Sequence, residues 1–329
     1  MLLVALVLLA GCGSSDDERS AAPPADSGFP AVVEHKFGTT TVESKPERIV
    51  VVGLTEQDTV LALGYTPIAT TEWYGEQPDA VWPWAQDELG DAKPTVLSVA
   101  DGFQFERIVG LRPDLIIGVN SGMKRADYEK FSRLAPTIAA GKGSTEYFSP
   151  WDQQVELVAA ALGMPEEGRE LVQQIRDDYA AAADEHPEFA GKTATFSQNG
   201  FYDGLLYVYP DGLGTDFLTM LGFTINPKLT PLVEREGEQV PISAERLGVI
   251  DADVIVFATE QPSDIAALKK VPTFDNLRAV SENRSVYTDG VLAGALYFIS
   301  PLSLPYVLEK LTPQLAAAVE GQAPQRVLE

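Results

Sequence analysis

Residues Glu106–Ile117 read ERIVGLRPDLII, and residues Glu245–Val256 read ERLGVIDADVIV. Each begins Glu-Arg-aliphatic, places an aliphatic residue five positions after the glutamate and an aspartate eight positions after it, and runs into an apolar stretch. That pattern fits a short helix whose aliphatic face packs on a sheet and which turns, at the aspartate, into a buried parallel strand. A phrase written twice implies two α/β halves on one plan. Both glutamates fall in the first turn of their helix, where an acid suits the helix dipole, and Ser243 is an apt N-cap for the second copy. On local physics alone, each glutamate is a helix-start residue.

Outward from these phrases, strands and helices alternate. ERIVVVG (47–53) predicts a buried strand. TEQDTVLALG (55–64) predicts a helix with Thr55 as N-cap, Asp58 three places on and Gly64 as its stop, and TPIAT (66–70) a second strand. QFERIVGL and PDLIIGV give a helix and a strand, RADYEKFSRLA a helix, PTIAA an extended segment, and SPWDQQVELVAAALG (149–163) an amphipathic helix. Leu171, Ile175, Asp178 and Tyr179, with Val172 beside them, then mark a long helix with no strand beside it, a bridge between halves. Alternation restarts at TATFSQ and LLYVY, and runs through GTDFLTMLG, AERLGVI, DADVIVFA and SVYTDG. A closing helix, PLSLPYVLEKLTPQLAAAV, is expected to be interrupted at Pro305 and Pro313. The predicted fold is α/β: two Rossmann-like lobes with central, mainly parallel sheets, joined by one long helix, with a ligand cleft between them. The expected boundaries are a first lobe over 31–163, a connecting helix over 164–188 and a second lobe over 189–329.

The chain has 329 residues, room for two cores. Its 48 acids against 24 bases give a net charge of -24, which argues against nucleic acid or anionic lipid as a partner. The only histidines are His35 and His186, with no cysteine or second histidine near either. A metal site of several imidazoles and a Ser-His-Asp or Cys-His triad therefore lack their parts.

The first thirty residues are MLLVALVLLAGCGSSDDERSAAPPADSGFP. Leu2–Ala10 is a nine-residue apolar run, far too short for a membrane span and right for the core of a signal peptide. It ends in Leu-Ala-Gly-Cys12, which resembles the bacterial lipobox, and Cys12, the only cysteine, has no disulfide partner. Residues 1–12 are thus expected to be a lipoprotein signal peptide with its lipidated cysteine, and 13–30 a flexible tether rich in Ser, Asp, Ala and Pro. No Lys or Arg precedes the apolar run, which points to a start codon further upstream.

The phrases PERIVVVG, VLALGYTPIAT, FERIVGLRPDLIIG, GLLYVYPDGLGTDFLTMLGF and ISAERLGVIDADVIVFA, in that order and behind a lipobox, resemble the iron-siderophore branch of ABC-transporter substrate-binding lipoproteins. The cobalamin and haem carriers share that fold. The resemblance covers the chain from about Pro46 to its end. It implies an extracytoplasmic, lipid-anchored carrier, not an enzyme, that works as a monomer. Such a carrier takes a ferric siderophore and passes it to an ABC permease dimer, with no nucleic-acid partner and no cofactor of its own. Ferric iron would arrive fully chelated, so no side chain need ligate a metal. The resemblance also turns Glu106 and Glu245 into docking points, one per lobe, for basic pockets of the permease. Ligand contacts would come from loops at the carboxyl ends of strands. From the first lobe these are Leu54–Gln57, Trp73 and Tyr74 in TEWYG, and Asn120 and Lys124 in NSGMKR. From the second they are Gln198 and Phe201 in SQNGFYDG, Tyr207, Arg235 in VEREGEQ, ATEQ, and LAGALYF. Trp82, Trp84 and Trp151 read as packing residues. These loops hold no dense cluster of Arg and Lys, which favours a hydroxamate or mixed, near-neutral chelate. A haem or cobalamin carrier on the same fold is the nearest alternative, with Tyr74 or Tyr207 as a haem ligand. An extracytoplasmic enzyme and a sensor or adhesion lipoprotein are remoter ones.

Overall fold

The computed structural model describes residues 28–144, 147, 149–235 and 237–327. The signal peptide, Cys12 and nearly all of the tether lie outside that range. A hairpin of β1 (Ala31–His35) and β2 (Gly38–Val42) comes first. Then follow β3 (Ile49–Val51), α1 (Glu56–Ala62), β4 (Ala69–Glu72), α2 (Gln86–Leu89) and β5 (Thr95–Ser98). Next are α3 (Phe105–Leu111), β6 (Leu115–Gly118), α4 (Arg125–Phe131), β7 (Thr137–Ala139) and α5 (Trp151–Ala161). The five strands from β3 form one wholly parallel sheet in the order β5-β4-β3-β6-β7. Both faces are covered at its centre, so β3 and β6 are apolar: Ile49, Val51, Leu115 and Ile117 pack to one side, and Val50 and Ile116 to the other.

Helix α6 (Pro165–Glu185) is the predicted bridge, opened by Pro165 at its first position. Its stripe of Val172, Ile175 and Tyr179 is buried, and the Tyr179 hydroxyl donates to the Leu304 carbonyl at 3.0 Å.

The second sheet is built from β8 (Thr193–Tyr202), β9 (Leu205–Tyr209), β10 (Thr224–Ile225), β11 (Val240–Ser243), β12 (Val254–Ala258) and β13 (Ser285–Tyr287). Its order is β11-β9-β8-β12-β13, with the short β10 beside the start of β8. The sequence leads one to expect a mainly parallel sheet here too. The tight turn at Asp203–Gly204 instead makes β8 and β9 an antiparallel hairpin, so this sheet is mixed. Its helices are α7 (Asp216–Thr219), α8 (Pro262–Leu268), α9 (Arg278–Ser281), α10 (Gly290–Phe298) and α11 (Ser303–Val319).

Two readings change in structure, and one histidine finds its place. The segment Ala244–Ile250 is a 3₁₀ helix, with the carbonyls of Val249 and Ile250 held by the side chains of Asn226 and Thr195 from the sheet. Helix α11 runs unbroken through both prolines. Pro305 lies in the first turn, where an N–H has no intrahelical partner to lose, and the buried stripe Leu304, Val307, Leu311 and Leu315 carries the helix past Pro313. His35 belongs to the folded hairpin and is fully buried, with Nε2 at 2.9 Å from the Thr40 hydroxyl; burial lowers its pKa.

Candidate functional site

In the first sheet the strand order reverses between β3 and β6, the place where open parallel sheets leave a crevice at their carboxyl ends. Here that crevice is bridged by a buried carboxylate. Glu56, at the start of α1, accepts the Asn120 backbone N–H on Oε1 at 2.6 Å and the Thr55 N–H on Oε2 at 3.0 Å. Gly53 is required beside it, since a Cβ there would lie 2.0 Å from Glu56 Oε1. Burial pushes the Glu56 pKa up, and these N–H groups offset part of that. The backbone donors that cradle phosphate in dinucleotide folds are thus used by the chain's own acid. Thr55 does not cap α1 with its side chain: its hydroxyl donates to Gln154 Oε1 at 3.3 Å and accepts from Asn120 Nδ2 at 3.3 Å.

Asp58 is turned inward as well. Its Oδ2 accepts the Trp84 indole N–H at 2.8 Å and the hydroxyl of Ser300, which comes from the turn between α10 and α11. Its Oδ1 is buried without a hydrogen-bond partner, and burial pushes its pKa up to about 6.

Around this contact an aromatic cluster runs across the seam between the lobes. Trp82 and Trp84 stack at 5.0 Å and 10°, Tyr74 stacks on Trp82 at 5.5 Å, and Trp73 lies 5.5 Å from Tyr74. From the second lobe, Phe298 meets Trp73, Trp82 and Trp84, and Tyr297 meets Tyr74 edge-on at 5.5 Å. Trp82 is seated between two glycines: a Cβ on Gly75 would come within 2.3 Å of its ring, and one on Gly294 of α10 within 2.4 Å.

The second lobe faces this cluster with its own strand ends. Gln198 and Asn199 lie on β8, Glu260 follows β12, and Asp289 follows β13. Glu260 accepts from Asn199 Nδ2 at 3.0 Å and takes the Tyr74 hydroxyl across the seam. Burial first, and the Glu260 charge second, hold the Tyr74 phenol far above its usual pKa. Tyr209 is buried with Gln198 and Gln239 at its hydroxyl. Three recesses follow the seam. One of about 660 Å³ lies among Tyr74, Gln77, Trp82, Glu260 and Asp289. A narrow one of about 30 Å³ lies among Asn120, Gln154, Tyr209 and Tyr297, and one of about 380 Å³ lies among Lys142, Ser149, Gly212 and Val233.

The structure therefore brings together Trp73, Tyr74, Asn120 and Gln198 at the seam. Tyr207 is half-buried on β9 and shares a sheet face with Tyr209, two residues on. Phe201 packs into the apolar layer behind that sheet. Lys124 stands exposed at the start of α4. Arg235 is exposed in a loop beside the third recess, paired with Glu238 at 2.7 Å. Glu106 is exposed in the first turn of α3. Glu245 is exposed in the 3₁₀ helix, its pKa lowered by its own backbone N–H and the Ser243 hydroxyl. The side chains of Tyr209, Glu260, Tyr297 and Asp289 also face the seam and were not singled out as site residues. Two of them lie in the nominated loops ATEQ and LAGALYF, and the signal available for Glu260 was its place directly after the strand VIVFA.

Among the described residues, no group of three or more His, Cys, Asp or Glu side chains is placed to hold a metal ion, and no helix is long and apolar enough to cross a membrane. A sequence profile described as "Periplasmic binding protein" matches residues 49–292. The probable siderophore-binding lipoprotein YfiY of Bacillus subtilis is 25% identical over 304 residues, 89% of this chain and 90% of that protein. A periplasmic solute-binding protein of Mycobacterium smegmatis superposes with a TM-score of 0.82 at 37% identity, over 88% of this chain and 98% of that one. PiaA of Streptococcus pneumoniae in complex with ferrichrome superposes with a TM-score of 0.75 at 25% identity, over 88% and 99%.

Proposed function

The chain belongs to the periplasmic binding protein family, and from that premise we propose that it captures a ferric siderophore between its lobes and delivers it to an ABC permease. The observation that carries this reading is the seam itself. Strand-end loops of both sheets converge there on Trp73, Tyr74, Gln198, Tyr209, Tyr297 and Glu260, a lining of aromatic rings with a few polar groups. The family is made of solute-binding proteins, and we read this chain as a carrier without catalysis. Its histidines are engaged elsewhere, His35 with Thr40 and His186 with Glu188. Iron enters as part of the chelate, and the protein supplies no cofactor and no metal ligand of its own. Glu106 and Glu245 are the docking residues for the permease dimer, and the chain acts as a monomer outside the cytoplasm, held to the membrane through lipid on Cys12.

Titration of the protein's tryptophan fluorescence against a panel of ferric siderophores and haemin tests the reading. Saturable quenching by at least one ferric siderophore is expected. Quenching by haemin alone, with a Soret band shifted by a tyrosinate ligand, would move the assignment to haem.

A further inference from the structure

We propose that the cleft selects its ferric chelate by charge, taking one that is neutral or positively charged and rejecting polyanions, with Glu260 as the specificity-determining residue. This rests on the siderophore reading and narrows it. The wide recess at the Tyr74 end is lined by Tyr74 and Trp82 together with Glu260 and Asp289. Among the described residues, no lysine or arginine lines it, and none lines the narrow recess next to it. Among the described residues, neither Glu260 nor Asp289 forms an ion pair. Glu260 is engaged by the neutral donors Asn199 and Tyr74, and Asp289 by the Leu292 N–H at the start of α10. Asp264 stands behind them, bonded to the backbone N–H groups of Glu260 and Gln261, and its charge also reaches Tyr74 and Tyr297.

The bases near the far end are already neutralised. Lys142, which lines the third recess, pairs with Glu34 at 2.6 Å, and Arg235 in the neighbouring loop pairs with Glu238. An anionic chelate would meet carboxylates here without a free cation to answer its charge. A protonated amine would find the carboxylates of Glu260 and Asp289, and its alkyl arm an aromatic wall beside them. The acidity is local to the site as well as general to the chain, so substitution of one carboxylate should alter the preference.

The test is a titration of the full chain with ferrioxamine B (cationic), ferrichrome (neutral) and ferric citrate (anionic), at low and high salt, in the wild type and in Glu260→Gln. The expected order places ferrioxamine B and ferrichrome at least about 100-fold tighter than ferric citrate. Glu260→Gln should weaken ferrioxamine B about tenfold and narrow its lead over ferric citrate, with a shallower salt dependence, while Glu260→Asp keeps the lead. Ferric citrate binding as tightly as the other two overturns the selectivity and leaves the siderophore reading standing. An equal loss for all three chelates in Glu260→Gln also overturns it, since a purely structural role would not change their ratio. Binding of haemin with no ferric chelate would remove both proposals.

Discussion

Asp58 is the least comfortable residue in the molecule. It is fully buried, one oxygen is unpartnered, and Glu88 adds a repelling charge; only Ser300 and Trp84 favour its ionised form. Its folded pKa, about 6, lies above the ordinary 3.8. The folded state therefore holds a proton that the unfolded state releases, so Asp58 costs no stability below pH 4 and costs progressively more as pH rises to 6. The full cost is roughly 3 kcal/mol above that pH. Asp58→Asn, with its amide oxygen in the place of Oδ2, keeps the acceptor for both Trp84 and Ser300 and removes the buried charge. Its urea midpoint is expected to exceed that of the wild type at pH 7.5, with the gap closing by pH 4. Taking the difference between variants cancels the opposite trend from His35, which resists protonation below pH 6.5. A gap that stays constant from pH 4 to 7.5 would show that another group titrates. In the sequence Asp58 is simply an acid near a helix start. What turns it inward is a serine 242 positions away, and no local pattern carries that.

The repeated phrase gains its meaning one level up. Asp114 accepts the N–H groups of Glu47 and Arg48, both at 2.8 Å, where the chain enters β3. Asp253 accepts the N–H and hydroxyl of Thr193, both at 2.9 Å, where it enters β8. In both lobes the strand of the phrase pairs in parallel with the strand whose entry its aspartate holds, β6 with β3 and β12 with β8. The two phrases are therefore one device, a staple between neighbouring parallel strands that have no hairpin to align them. Asp114→Ala and Asp253→Ala should each lower unfolding free energy by about 1–2 kcal/mol, and both Asn variants by less. Chemical denaturation measures this, and a loss under ~0.3 kcal/mol at both sites would reduce the aspartates to turn formers. Alternation and periodicity revealed the helix–strand order around these staples, because β3, β6 and β12 are short, wholly buried runs. They did not reveal β1–β2, whose GTTTV strand is mostly polar, nor the edge strand β5, whose TVLS has a single buried residue. The seam was legible only as a set of strand-end loops. Which side chains meet there depends on two lobes that no stretch of sequence spans.

For the whole molecule, crossover geometry fixes where the two exposed glutamates stand. A helix that joins parallel strands runs back against them, so its first turn lies at their carboxyl edge. Glu106 and Glu245 both occupy such first turns and therefore stand at the rim of the seam, one on each lobe. The double variant Glu106→Ala/Glu245→Ala is expected to keep ligand quenching while uptake through the permease collapses. Normal uptake in cells carrying only that variant would return both residues to helix-end duty. The bridge between the lobes sets a different limit. The buried stripe of α6 belongs to one apolar cluster with α11, the last helix of the fold. A chain made from its amino end carries α6 packed on α5 alone for more than a hundred residues before α11 exists to cover the other side of its stripe. Packing of the core between the lobes thus waits for the final segment to emerge. The first lobe, whose cores lie wholly within residues 31–162, has no such wait, so the chain's last helix completes the second lobe and its join to the first.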